Sequence, residues 1–155
     1  MRNEFMARAI ALAIENVVSG RGGPFGAVVV KDGAVIAEGA NLVTSINDPT
    51  AHAEVLAIRA ACRTLRDFRL TGCEIYSSCE PCPMCLGAIY WSRAERVYFA
   101  GTRADAASAG FDDELLYQEL KLPLEARKLP MIPLMRAESA AVFDLWRKSP
   151  NRIDY

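Results

Sequence analysis

Apolar residues recur near the N-terminus with the spacing of one helix face. Phe5, Ala9, Leu12 or Ala13 and Val17 stand three or four apart, with Arg8 and Glu15 between them. This predicts an amphipathic helix over residues 3–18, stopped at Ser19-Gly20. A glycine-rich loop, Gly22-Gly23-Pro24, follows. Two apolar runs, Phe25 to Lys31 and Ala34 to Ala40, then flank Asp32-Gly33, a strong hairpin signal because both residues tolerate positive φ. Behind the turn-forming stretch Ser45 to Thr50, an alanine-rich helix runs from about Ala51 to Leu65. Glu74 to Ser78 reads as a short strand and Pro83 to about Arg93 as a helix, with proline in the first turn, where its missing donor is not needed. Glu95 to Ala100 is the next strand. Asp112 or Asp113 opens a helix to about Leu120, Met131 to Met135 is a fifth strand, and Ser139 to Lys148 is a last amphipathic helix. Trp91 and Trp146 are assigned to helix packing.

The order is therefore αββαβαβαβα. A helix between the fourth and fifth strands lets that pair run parallel, since a parallel pair needs a long crossover. The expectation is an α/β fold: a three-layer α/β/α sandwich around a five-stranded mixed sheet. At 155 residues the chain fits one domain, residues 1–155, with no internal repeat or linker.

Composition narrows the function classes. With 52% apolar and 24% charged residues the chain is that of a folded globular protein, which excludes disorder. Eighteen basic residues against nineteen acidic ones give a net charge of −1 without any basic block, so a large nucleic-acid footprint is not expected. No apolar run approaches the ~20 residues needed to span a bilayer. The short run Ala9 to Ile14 is followed by Glu15 and reads as part of the first helix rather than as a targeting segment. Five cysteines, three of them crowded, suit a reducing cytoplasm with metal or redox chemistry better than a secreted disulfide framework.

The chemistry gathers in two places. Cys79, Cys82 and Cys85 fall within Ser77 to Trp91, and the one histidine, His52, stands in Thr50-Ala51-His52-Ala53-Glu54. Cys82 and Cys85 sit at a helix N-terminus, where the dipole and unpaired amides stabilise thiolates. Cys79 belongs to the preceding strand end, because Pro81 biases Glu80 towards extended backbone. His52, Cys82 and Cys85 make three ligands with an open fourth position, the arrangement of a catalytic zinc. Two other arrangements use the same residues: a closed structural site that includes Cys79, and a dithiol redox pair. The closed site has no need of Glu54 in the same first turn as His52, and the redox pair leaves both His52 and Glu54 unused.

His52-Ala53-Glu54 followed by Pro81-Cys82-Pro83-Met84-Cys85 resembles the signature of the zinc nucleobase deaminases, H-x-E then P-C-x-x-C. Within that superfamily the chain is similar to the bacterial guanine deaminases of the cytidine deaminase fold. The similarity is carried by GGPFGAVVVKDG, NDPTAHAEVLAIR, SSCEPCPMCLGAIYW, AGFDDELLY and the terminal Tyr155. The resemblance implies one zinc per subunit and hydrolysis of guanine to xanthine and ammonia, with Glu54 as general base and then general acid. It further implies that Asp113 helps the amine leave, that Phe25, Asn41, Ala53 and Tyr155 contact the purine base, and that water is the second substrate. It also implies a homodimer whose C-terminal segments, from about residue 101 to 155, are exchanged, so that Asp113 and Tyr155 reach the other subunit's zinc site. On the residues alone, Asp112 and Asp113 also read as a helix cap, Phe25 as a core strand residue, Asn41 as a turn residue and Tyr155 as a frayed end.

Rival readings follow from the same motifs. A tRNA adenosine deaminase resembles the chain at the zinc motifs, but it should carry a basic surface for RNA. A deaminase of cytosine, guanosine or another small aminated ring shares the chemistry and differs in pocket shape. A structural zinc module would be free to lose Glu54, which this chain retains. A dithiol oxidoreductase would work without metal.

Overall fold

The Asp32-Gly33 turn takes the positive φ that its residues allow, 50° and 77°, and strands β1 (Gly26–Lys31) and β2 (Ala34–Ala40) run antiparallel from it. In the computed structural model, which describes residues 2–155, strand β3 (Cys73–Cys79) pairs antiparallel with β1, and β4 (Arg96–Gly101) joins β3 in parallel. The sheet order is β2-β1-β3-β4. The crossover that a parallel pair requires is α4 (Pro83–Ser92).

Strand alternation sends side chains to two cores. Val28, Val30 and Tyr76 meet Ala9 and Leu12 of α1 (Arg2–Val18) on one face. Ala27, Val29 and Ile75 meet Ala53, Ala57 and Ala61 of α3 (Ala53–Leu65), together with Ile89 of α4, on the other. The small alanines on α3 let it lie close to the sheet, and Gly39 carries this furthest. A Cβ at that position would lie 2.2 Å from the Ala53 carbonyl oxygen and 2.7 Å from the Ala57 nitrogen, so only glycine admits β2 beneath the first turn of α3.

Several expectations change. The sheet has four strands, not five: Met131 to Met135 pairs with no strand. Pro130 and Pro133 remove two of the backbone donors that a ladder would use, and Met135 turns into the left-handed region, φ 54°, to start the next helix. Helix α3 begins at Ala53 rather than Ala51, leaving His52 as its N-cap residue. Two short helices had no periodicity to announce them: α2 (Val43–Ile46), and α5 (Arg103–Ser108), which opens with a reciprocal Thr102–Asp105 capping box. Trp91 does not pack inside a helix contact but is 63% exposed, and Trp146 is exposed as well.

The described chain divides into two compact units, the first ending at Glu114 and the second spanning Leu115–Tyr155. Helix α6 (Glu114–Lys121) begins at the boundary, followed by a 3-10 turn (Leu124–Ala126) and α7 (Arg136–Lys148). Within the second unit, the Lys128 N–H donates to Glu119 Oε2 at 2.7 Å and Arg127 Nε to the Leu122 carbonyl at 3.1 Å. Among the described residues, none from 115 to 155 is buried, and no helix is long and apolar enough to cross a membrane.

Candidate metal centre and active site

Two helix starts build the centre. His52 caps α3 with extended backbone, φ −71° and ψ 153°, and Cys82 caps α4 with φ −65° and ψ 168°. Neither side chain bonds its own helix, so both are available to a ligand. Cys85 lies one turn into α4, on the same side as Cys82. His52 Nδ1 stands 3.6 Å from Cys82 Sγ and 3.5 Å from Cys85 Sγ, and the three donor atoms lie within 4.8 Å of one another.

The donor set fits zinc. Zn–S and Zn–N bonds of about 2.3 and 2.0–2.1 Å at a tetrahedral angle place sulfur and nitrogen roughly 3.6 Å apart, which is the spacing found. Two soft thiols and an imidazole suit the same metal. Cys79 stays outside: its thiol, at the end of β3, points to the Thr102 carbonyl at 3.5 Å, which leaves three donors rather than four. Without metal the sulfurs share protons unequally. The hydrogen bond from Cys85, aided by His52, holds Cys82 down to about 4, whereas that bond and burial push Cys85 up. A metal replaces these protons when it binds.

Glu54, in the first turn of α3, is only 6% exposed. Burial pushes its carboxyl above the usual range, against the stabilising bonds that it accepts. Ser77 Oγ donates to Oε1 at 3.1 Å, and Cys85 Sγ lies 3.3 Å from Oε2. A buried carboxyl fixed at both oxygens and touching a metal-facing sulfur is placed to hold and release a proton.

A second group of residues surrounds Gly23. Phe25 meets Phe111 edge to face, with ring centroids 4.9 Å apart. Asn41 is buried, and its Oδ1 accepts from the backbone N–H of Gly23 at 3.4 Å and of Val43 at 3.3 Å. Its Nδ2 is therefore the donor that it can offer to a ligand. The two groups are neighbours, since the Leu42 N–H bonds the Ala51 carbonyl at 3.0 Å, next to Asn41 on one side and His52 on the other. Ala53 is fully buried, and its N–H is one of the first-turn amides of α3 that lack an intrahelical acceptor.

The two aspartates differ in their contacts. Asp112 Oδ1 accepts the Glu114 N–H at 2.9 Å, at the start of α6. Asp113 is left for other work, with its carboxyl pushed up by burial, held back by Arg103 and raised again by the charge of Cys82. It lies in the first unit with the chain's own cysteines. Arg103 bonds Glu114, and its backbone N–H donates to Glu80 Oε2 at 3.1 Å, so this corner is tied to the loop before Cys82. Tyr155 is exposed and belongs to the second unit.

Sequence reasoning missed three residues. Ser77 is a polar residue pointing inward from a strand that otherwise buries Cys73, Ile75 and Tyr76, a break in pattern that could have marked it. Phe111 was quoted within a motif without a role. Asn16, a polar residue within the first helix, is fully buried.

Comparison with known proteins accords with this geometry. Residues 1–101 match the cytidine and deoxycytidylate deaminase zinc-binding region. A guanine deaminase of Bacillus subtilis (strain 168) is 54% identical over 151 residues, 97% of each chain. The X-ray structure of guanine deaminase from Bacillus subtilis superposes with a TM-score of 0.97 at 53% identity, covering 100% of this chain and 99% of that one. A tRNA-specific adenosine deaminase of Aquifex aeolicus is 51% identical over 77 residues, 50% of this chain and 51% of its own. The chain thus belongs to the cytidine and deoxycytidylate deaminase zinc-binding family, alongside the guanine deaminase with which it aligns from end to end.

Proposed function

We propose that the protein deaminates guanine to xanthine and ammonia, with one zinc per chain held by His52, Cys82 and Cys85. The observation that carries this reading is the buried Glu54 carboxyl, 3.3 Å from Cys85 Sγ and beside three donors rather than four. Guanine, rather than another aminated ring, is favoured by the full-length likeness to a guanine deaminase. The formal charge of −1 speaks against an RNA substrate.

Zinc held by His52, Cys82 and Cys85 would supply the Lewis acidity that makes water a nucleophile near neutral pH. Glu54 accepts a proton from the attacking water and delivers it to the ring nitrogen beside C2. A C–O bond forms at C2 and the C2–N2 bond breaks, the water's second proton leaving on the amine. Asp113 steadies that amine and relays the proton, giving its own to the amine and taking up the water's second proton in return; burial favours the protonated carboxyl, against the pull of Arg103. The resemblance places Asp113 at the other subunit's zinc site; we assign it instead to its own chain's site, a reading supported by the charge of the chain's own Cys82 acting on it within one unit. Phe25, braced by Phe111, supplies a wall for the purine ring. Asn41 Nδ2 and the Ala53 N–H supply donors for its polar edge.

The second unit bears on assembly. Ile132 is 83% and Leu134 84% exposed, and the outer side of edge strand β4 pairs with no strand among the described residues. Apolar surface of this extent belongs against another chain. We read a cytoplasmic homodimer with exchanged C-terminal segments, in which Tyr155 closes over the base in the other subunit and the packed helices and sheet form a three-layer sandwich.

The test is ammonia release from zinc-loaded protein offered guanine, guanosine, adenine and cytosine separately, with a chelated control. Turnover of guanine alone, lost on chelation and restored by zinc, is the expected result. Silence on guanine with zinc still bound rejects the reading.

A further inference from the structure

Helix α1 contains one fully buried polar side chain that the reaction above does not use, Asn16. Its Nδ2 donates to the Asn41 carbonyl at 2.7 Å and to the Gly23 carbonyl at 2.9 Å. Both partners are carbonyl oxygens, so the orientation of the amide is settled. Its Oδ1 is buried with no hydrogen-bond partner. A buried polar atom left unpaired is destabilising, so the residue is there for its two N–H groups. Aspartate matches the shape without donating, leucine matches the volume without donating, and glutamine is a methylene too long.

The two carbonyls lie where the wall and the reading edge of the purine site join. The Gly23 carbonyl also accepts the Phe25 N–H at 2.9 Å, and the Phe25 carbonyl accepts the Asn41 N–H at 3.0 Å. The Asn41 side chain closes the ring by accepting the Gly23 N–H at 3.4 Å. Gly22 lets the strands meet: a Cβ there would lie 2.0 Å from the Asn41 carbonyl oxygen and 3.1 Å from Asn16 Nδ2.

We infer that Asn16 is a positioning residue for the purine edge: one buried amide, clamping the Gly23 and Asn41 carbonyls together, sets the direction in which Asn41 Nδ2 and the Phe25 ring face the base. The inference rests on the guanine reading and extends it to a residue of α1, which supplies none of the metal donors. The hydrogen bonds of Asn16 go to the Gly23 and Asn41 carbonyls and to no metal donor, so its removal weakens binding of the base and leaves the proton transfers of Glu54 intact.

The experiment is steady-state kinetics on zinc-loaded full-length protein with guanine, comparing Asn16→Ser, Gly22→Ala, Asn41→Ala and the Asn16→Ser/Asn41→Ala double variant. Asn16→Ser is expected to raise KM at least about tenfold, with kcat within about threefold and zinc content unchanged. In the Asn41→Ala background the same change is expected to add a smaller rise than it does alone, because one of the two groups that it positions is already gone. Gly22→Ala pushes the Asn41 carbonyl off Asn16 without opening a cavity in α1, and it is expected to reproduce the KM effect; it decides the matter if Asn16→Ser does not fold. An unmoved KM in both single variants, or an equal KM rise with and without Asn41, overturns the role of Asn16 while wild-type turnover leaves the substrate reading standing. A wild-type protein inactive on guanine overturns both.

Discussion

In the first unit apolar side chains have an interior to occupy: Val28 and Val29 of β1, Leu70 and Ile75 are fully buried between α1 on one side and α3 and α4 on the other. In the second, α7 has the same helical periodicity, yet Phe143 is 60% and Leu145 72% exposed in the single chain. Similar patterns thus have different fates. An amphipathic helix states that one of its faces is to be covered, and says nothing of whether its own chain will do the covering. The metal donors and Glu54 lie in the unit that has a core of its own, as do Phe25, Asn41 and Asp113, whereas Tyr155 lies in the other.

The largest effect should fall on that chemistry. Glu54→Gln keeps the shape and the capacity to accept from Ser77, while removing the group that carries the proton. Turnover of guanine should fall about 10²–10⁴-fold, with one zinc per chain, an unchanged circular dichroism spectrum and unchanged sedimentation. A variant within tenfold of wild type ends the case for Glu54 as the proton carrier. A variant that also loses its oligomeric state shows that the site and the second unit are not separable in the way described.

Legibility in the sequence follows the same boundary. The hairpin, α1, α3 and α4 could be read because period and punctuation agree there, and the zinc donors because their spacing is a property of two helix starts. The fifth strand was misread at Met131 to Met135, where apolar composition outweighed the two prolines that forbid a ladder. His52 was placed inside a helix that it in fact caps, a two-residue displacement with chemical meaning, since a cap has its side chain at liberty. Ser77 and Asn16 escaped because their partners are remote: Glu54 lies 23 positions from Ser77, and the Asn41 carbonyl 25 from Asn16. Local pattern has no access to such pairs.

A middle-sized effect separates the two units by concentration dependence. Ile75→Ala opens a hole in a closed core, and it should lower unfolding free energy by ~2–5 kcal/mol at every protein concentration. Phe143→Asp touches no core of its own chain. It should leave the first unit's transition in place but shift sedimentation from about twice the chain mass of 17.0 kDa towards that mass, with a rise in KM as Tyr155 is withdrawn. Wild-type protein that already sediments at one chain mass rules out the exchanged dimer, and the apolar face of α7 then needs another explanation.

The smallest effect asks what else holds the first unit together. Arg8 on α1 grips Glu38 on β2 with two bonds of 2.7 Å and reaches Glu15 at 2.9 Å, the best-formed ion pair between those elements. The Arg8 side chain is 38% and that of Glu38 37% exposed, so solvent screens most of the attraction, and Arg8→Ala should cost only ~0.5–1 kcal/mol near neutral pH. The sign of its pH dependence follows from Glu38, which the Arg8 hydrogen bond holds below its ordinary 4.5. As pH falls, the unfolded chain takes up this proton first, so the contribution is complete above about 4.5 and disappears as pH drops through the folded value. Urea unfolding of wild type and Arg8→Ala at about pH 7 and about pH 3 should therefore show a small gap that closes in acid and narrows in salt. A gap as wide as that of Ile75→Ala, or one indifferent to pH, means that charge rather than apolar burial distinguishes the first unit from the second.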